Sequence, residues 1–157
     1  MTLPLTLILI LLLAPSAQAA RRVGEAQVRE GANGVPCFTL SEREEQRGGV
    51  PDFQSVTVSE AGGKVMWRMA MPRERTFPVM NSMCIPYGGR VQALPQTPAA
   101  VLAPGKAYLV QIEARPGRKA SMPLRYQARF CLVNKPGGLM GVCPEAGPAA
   151  AAAVARR

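Results

Sequence analysis

The residue types that most catalytic sites require are scarce in this chain. It contains no histidine, which excludes Ser-His-Asp and Cys-His catalysis and every histidine-ligated metal site. The sole aspartate is Asp52, so a carboxylate pair for glycoside hydrolysis must come mainly from glutamates. Glu42, Glu44 and Glu45 are crowded into one charged segment, which is typical of a solvated face. The sequence also lacks a Gly-rich phosphate loop and a Cys-x-x-Cys redox pair. We therefore predict a protein that is not an enzyme and needs no cofactor.

Methionine thioethers offer a different chemistry. Trp67 is followed by Met69 and Met71, and soft thioether ligands select Cu(I) in an oxidising compartment. The run resembles the tryptophan and Met-x-Met arrangement of periplasmic copper-carrier proteins, although their histidine is absent and the Trp-to-Met spacing differs by one residue. The resemblance implies a Cu(I)-binding carrier as the alternative function, with these three residues as the metal site. The competing interpretation is that they form the core side of a strand, where methionine commonly fills gaps.

Two predicted loops are rich in basic residues. They span 72–75 and 115–119 and contain four arginines. The candidate binding residues are Arg73, Arg75, Arg115 and Arg118. Small exported domains bind partners through loops or through an exposed sheet edge, so these arginines are candidates for contacting a macromolecule. The alternative is that they only keep the protein soluble.

The chain as a whole is basic, with 19 Lys and Arg residues against 10 Asp and Glu residues and a formal net charge of +9. Such a protein is attracted to anionic lipid, acidic cell-wall polymers or nucleic acid. A GC-rich genome, which raises Arg, Ala, Gly and Pro together, is an alternative source of the charge. Basic residues do not alternate with aromatic ones as in single-strand nucleic-acid sites, so we expect no specific nucleic-acid partner.

The cysteines predict two disulfides. They are Cys37, Cys84, Cys131 and Cys143. An even number in an exported chain is typical of disulfide pairing, whereas the wide gaps argue against a zinc site. A Pro-Gly-Gly turn signal is centred on Gly137, and Cys131 and Cys143 lie six residues on either side of it. A hairpin folded there would place these two cysteines opposite each other, so we favour that pair and, by elimination, Cys37 with Cys84.

The first residues predict an export signal. Leu3 to Leu13 is almost unbroken aliphatic sequence, and the small-x-small triplet 17–19 follows it. The apolar run is about 11 residues long, shorter than the roughly 20 that span a bilayer, which favours a cleaved signal over a transmembrane anchor. We expect residues 1–19 to be a cleaved signal peptide, residues 20–146 a single domain, and residues 147–157 a disordered Ala-rich tail. The expected location is the periplasm or the exterior.

Hydrophobic residues alternate along several short segments. In 64–71 a two-residue period places Val65, Trp67, Met69 and Met71 on one face. Further strands are predicted at 36–40, 53–59, 107–113 and 124–133, with a short edge strand at 27–29 and another strand at 90–94. Ser41 and Glu44 match a capping box, which predicts one or two helical turns over 41–49 or, alternatively, a solvated loop. Seven or eight short strands favour an antiparallel sandwich or barrel.

The segment 102–110 reads Leu-Ala-Pro-Gly-Lys-Ala-Tyr-Leu-Val. It resembles the Leu-x-Pro-Gly-x-x-Tyr-x-Val segment that leads into a strand in fibronectin-III and related immunoglobulin-like domains. The resemblance implies an antiparallel β-sandwich of that kind and no activity. We therefore expect an all-β, disulfide-bonded, non-catalytic binding protein of the bacterial envelope. Its expected partner is another protein or an anionic envelope polymer.

Overall fold

The computed structural model describes residues 22–91, 94–115 and 122–143. The predicted signal peptide and Ala-rich tail lie outside these ranges. The described chain is mostly β-sheet with one α-helix, which confirms the all-β class. The strands are β1 (Gly24–Glu30), β2 (Pro36–Leu40), β3 (Asp52–Glu60), β4 (Val65–Ala70), β5 (Phe77–Pro78), β6 (Ile85–Pro86), β7 (Ala107–Ala114), β8 (Arg125–Asn134) and β9 (Met140–Val142). The helix α1 spans Glu42–Gly48, and a 3-10 turn spans Ala32–Gly34. None of these helices is long and apolar enough to cross a membrane.

The nine strands belong to one sheet in the order β4-β3-β7-β8-β1-β2-β6, with β5 added to β3 and β9 added to β8. The strands β2 and β4 are far apart in the strand order, yet Phe38 on β2 packs against Trp67 on β4 with 6.5 Å between ring centroids. The sheet is therefore curled. The curled sheet encloses a core that includes Tyr108 and Tyr126. A two-layer immunoglobulin-like sandwich is not confirmed, and the strand count agrees roughly with the prediction.

The predicted short edge strand at 27–29 is part of the longer β1. Its first residues, Gly24 and Glu25, pair in parallel with β8, whereas residues 27–29 pair in antiparallel orientation with β2. The described part of the predicted strand at 90–94 is not in a strand, and residues 92 and 93 lie outside the described ranges. Residues 95–100 instead follow the free edge of β4, where Thr97 N–H donates to the Arg68 carbonyl and Ala100 N–H to the Met66 carbonyl, both at 2.9 Å.

The predicted face of β4 is correct for Trp67 and Met69 and wrong for Val65. Ser59 pairs with Val65 and Val58 pairs with Trp67, so Met66 is an extra residue on β4. Such a bulge interrupts the alternation. Met66 is therefore buried, whereas Val65 is exposed.

Both predicted disulfides are confirmed. Cys131 bonds to Cys143 and Cys37 bonds to Cys84. β8 and β9 pair in the register expected for a hairpin centred on Gly137, with Leu132 opposite Val142. Gly137 has a φ of 88°, a conformation that glycine adopts without the steric cost other residues incur.

Candidate binding surface

The first predicted basic loop contacts Arg115, which is the one described residue of the second. Pro72 to Arg75 forms a tight turn between β4 and β5, closed by a 3.0 Å hydrogen bond from Arg75 N–H to the Pro72 carbonyl. Arg115 follows directly after β7, and its backbone N–H donates to the Asp52 carbonyl at 2.9 Å. Its guanidinium group donates to the carbonyl oxygens of Pro72 and Arg75, each at 3.2 Å. One side chain therefore joins the end of β7 to the turn 72–75.

The arginines of this surface have different environments. Arg73 and Arg75 are exposed, while Arg115 is half-buried and donates to the backbone of the turn. Arg118 lies outside the described residues. We call the turn 72–75 together with Arg115 the arginine surface. In this surface Arg115 holds the turn through its hydrogen bonds, while Arg73 and Arg75 present their charges to solvent.

A cleft of about 330 Å³ lies at the same end of the sheet. It is lined by Arg22, Val23, Gln54, Glu113, Ala114, Leu124 and Arg125. The carboxylate of Glu113 accepts hydrogen bonds from Ser55 and Gln111, both at 3.1 Å, and faces the guanidinium of Arg125 at 3.8 Å. Sequence reasoning did not find this cleft. The alternation of β7 assigns Glu113 to the polar face, but only the strand pairing identifies its partners.

The prediction that the acidic segment is a solvated face is wrong for Glu44, whose side chain is buried. The Ser41 side chain caps α1 by accepting from Glu44 N–H, as the capping box predicts. The Glu44 side chain is only 5 % exposed and accepts a 2.8 Å hydrogen bond from Arg22. This bond lowers the pKa of Glu44 more than burial raises it. Glu44 Oε2 has no hydrogen-bond partner in the described part of the chain.

The residues of the copper alternative lie in and against the core. Trp67 is 1 % exposed and Met69 is 5 % exposed, and Met71 packs against the core from its edge. The Trp67 ring lies 5.5 Å from that of Tyr87, in a T-shaped arrangement. These positions favour the packing interpretation, and Cu(I) binding stays a prediction. The described residues also contain no cluster of three or more His, Cys, Asp or Glu side chains that could hold a metal.

Comparison of the chain with protein-family models, with curated proteins and with solved structures finds no match.

Proposed function

We propose that this chain is an exported, non-catalytic binding protein of the bacterial envelope and that the arginine surface contacts its partner. The partner is a protein with an acidic face or an anionic envelope polymer. The observation that carries the proposal is the pair of hydrogen bonds from Arg115 to the turn 72–75. These bonds hold two exposed arginines on a fixed backbone, which lowers the entropy that a flexible loop loses on binding.

The covered edge of β4 favours binding of a partner through loops over binding by addition of a partner strand. The free edge of β4 is covered by residues 95–100. At the other end of the sheet the short β6 lies beside β2, and the Asn81 side chain donates to the Leu40 carbonyl at 2.8 Å. A partner strand needs a row of unpaired backbone groups, and the edge of β4 is already occupied by residues 95–100.

The chemistry of the arginine surface fits an anionic partner. A guanidinium group presents a planar fork of donors that matches a carboxylate or a phosphate. Arg73 and Arg75 flank one opposing charge, Glu74, in the turn. Because these groups are exposed, their attraction to a partner weakens as salt shortens the Debye length.

Export is supported by the cysteines. The two disulfides leave no free cysteine in the chain, a state that persists in oxidising compartments. We place the protein in the periplasm or outside the cell on this ground and on the predicted signal peptide.

The test is binding of the purified protein to an envelope fraction at low and high salt. We compare the wild type with Arg73→Ser/Arg75→Ser and with the matched control Arg68→Ser/Arg129→Ser, which removes two exposed arginines elsewhere on the sheet. The proposal predicts salt-sensitive binding that only the first variant loses. Equal binding by both variants would reject the arginine surface. Protease treatment of the fraction then separates a protein partner from a polymer.

A further inference from the structure

Three loops lie together at the end of the sheet opposite the arginine surface. They are the β3–β4 hairpin 61–64, the loop 101–106 before β7, and the β8–β9 tip 135–139. Ala61 N–H donates to the Ala107 carbonyl at 3.2 Å, and Gly105 N–H donates to the Leu132 carbonyl at 2.8 Å. These bonds hold the three loops at one end of the molecule.

Each loop has an exposed large aliphatic side chain within it or directly after it: Val101 begins the loop 101–106, Leu139 ends the loop 135–139, and Val65 follows the hairpin 61–64. Val101 is 89 % exposed, Leu139 is 55 % exposed and Val65 is 52 % exposed. Burying such a side chain in an apolar environment is favourable, so contact with apolar groups would stabilise these loops. The loops also contain glycines with open space around them, at positions 62, 63, 105, 137 and 138.

Each loop also carries one lysine. Lys64, Lys106 and Lys135 are all the lysines within the described ranges. Lys106 pairs with Glu60 at 3.2 Å, and Lys135 pairs with Glu30, but both lysine side chains remain about half exposed. Exposed ion pairs of this kind contribute little to stability. These lysines can therefore exchange a carboxylate for another anion.

We propose that this lysine–aliphatic end docks on an anionic lipid surface. The three loops can place Val65, Val101 and Leu139 among lipid headgroups while the strands stay paired in the sheet. The lysine beside each tip suits the phosphate layer, because its stem lies along apolar surface while its ammonium group pairs with anionic lipid. Separate aliphatic tips with one lysine each fit a headgroup layer better than they fit a flat protein face. Such docking would point the arginine surface away from the membrane.

The experiment is cosedimentation of the full-length, disulfide-bonded protein with lipid vesicles. One set is phosphatidylcholine alone, and the other contains about 30 % phosphatidylglycerol. We expect binding to the anionic vesicles and at least about tenfold weaker binding for Val101→Asp/Leu139→Asp. The control Val23→Asp/Val50→Asp changes two exposed valines outside the three tips and should bind like the wild type. Trp67 fluorescence checks that each variant is folded.

A second variant keeps the proposal testable if the aspartate variant misfolds. Lys64→Gln/Lys106→Gln removes charge without burying any group, and we expect several-fold weaker binding to anionic vesicles. The proposal is overturned if the wild type binds neither vesicle, or if it binds both equally. It is also overturned if the Val23/Val50 control loses as much binding as the tip variant. Envelope crosslinks from this end to a protein alone, without vesicle binding, would identify a protein surface and reject the lipid one.

Discussion

The guanidinium group of Arg115 donates a hydrogen bond to the backbone carbonyl of Arg75 at 3.2 Å, across 40 residues of sequence. The same nitrogen reaches the Pro72 carbonyl, so one arginine stabilises the turn that carries another. The side chain of Arg115 is therefore a structural element of the surface, and our proposal assigns the contacts with the partner to Arg73 and Arg75.

Replacing Arg115 with lysine tests this role while keeping the charge. A lysine ammonium is more strongly hydrated than a guanidinium and is not held in a planar group that fixes the position of its N–H donors, so the turn should lose about 1 kcal/mol of stability. Hydrogen exchange should accelerate several-fold at the Arg75 amide, which closes the turn. Arg129→Lys, at an exposed site on β8, is the control. Unchanged exchange at Arg75 would show that the two hydrogen bonds do not hold the turn.

The Arg22–Glu44 pair predicts a loss of stability in acid. Because Arg22 lowers the pKa of Glu44 in the folded state below its ordinary value of 4.5, the unfolded chain takes up this proton at a higher pH. The contribution is present above pH 4.5 and is lost as the pH falls through the folded pKa. Glu44→Gln should cost about 1–2 kcal/mol near neutral pH, a moderate value because Arg22 is one-third exposed.

Urea unfolding of the wild type and Glu44→Gln between about pH 3 and pH 7 measures this effect. The variant should show a shallower acid dependence than the wild type. Glu42→Gln, on the exposed side of the same helix, is the matched control. Parallel pH profiles for the wild type and Glu44→Gln would contradict the assignment.

Buried Tyr126 and partly buried Tyr87 predict a second loss of stability in alkali. Burial raises the pKa of Tyr87 and of Tyr126 to about 12 in the folded protein. The unfolded chain releases these protons near their ordinary value of 10. Stability should therefore be full below pH 10 and fall as the pH rises towards 12. An absorbance titration in which all tyrosine ionises near pH 10, with the protein still folded, would contradict this.

Tyr87→Phe tests the hydrogen bonding of the same side chain. The Tyr87 hydroxyl donates to the Ala100 carbonyl at 2.8 Å, which ties the segment beside β4 to the core. Its removal should cost about 1 kcal/mol at neutral pH and flatten the alkaline loss. Chemical unfolding at neutral and alkaline pH measures both effects, and an unchanged neutral stability would reject the role of this bond.

The packing of Trp67 predicts its response to copper. Since Trp67 is 1 % exposed and Met69 is 5 % exposed, stoichiometric Cu(I), supplied as an acetonitrile complex, should leave the tryptophan fluorescence unchanged. Met69→Leu should give the same fluorescence titration as the wild type. Quenching at one equivalent that Met69→Leu abolishes would instead establish the copper carrier and place Met69 in its site.

Local patterns predicted the parts of the fold that depend on neighbours in sequence. The alternation in β7 and β8, the Ser41 cap and the hairpin around Gly137 each depend on a few adjacent residues. The bulge at Met66 was missed because it is defined by pairing with β3. The curl of the sheet was missed for a similar reason, since it depends on Phe38 meeting Trp67 across the core.

The candidate surface also combines features that depend on neighbours in sequence with features that depend on the tertiary fold. Charge and turn propensity were enough to predict the two arginine loops as sites of interest. They could not show that Arg115 faces backbone carbonyls, because that contact depends on where β3, β4 and β7 end relative to one another. Glu44 was misplaced for a related reason, since its burial depends on Arg22, which lies 22 residues away in sequence.

The most direct test of the arginine surface is site-specific photocrosslinking in the native envelope. A photoreactive residue at position 74, between Arg73 and Arg75, should form an adduct with the partner. The same residue at position 129 on the sheet face should not. Loss of the position-74 adduct on adding Arg73→Ser/Arg75→Ser would show that these two arginines are needed for the contact. No adduct from position 74, together with a clear adduct from position 129, would contradict the proposed function and place the binding surface on the sheet face.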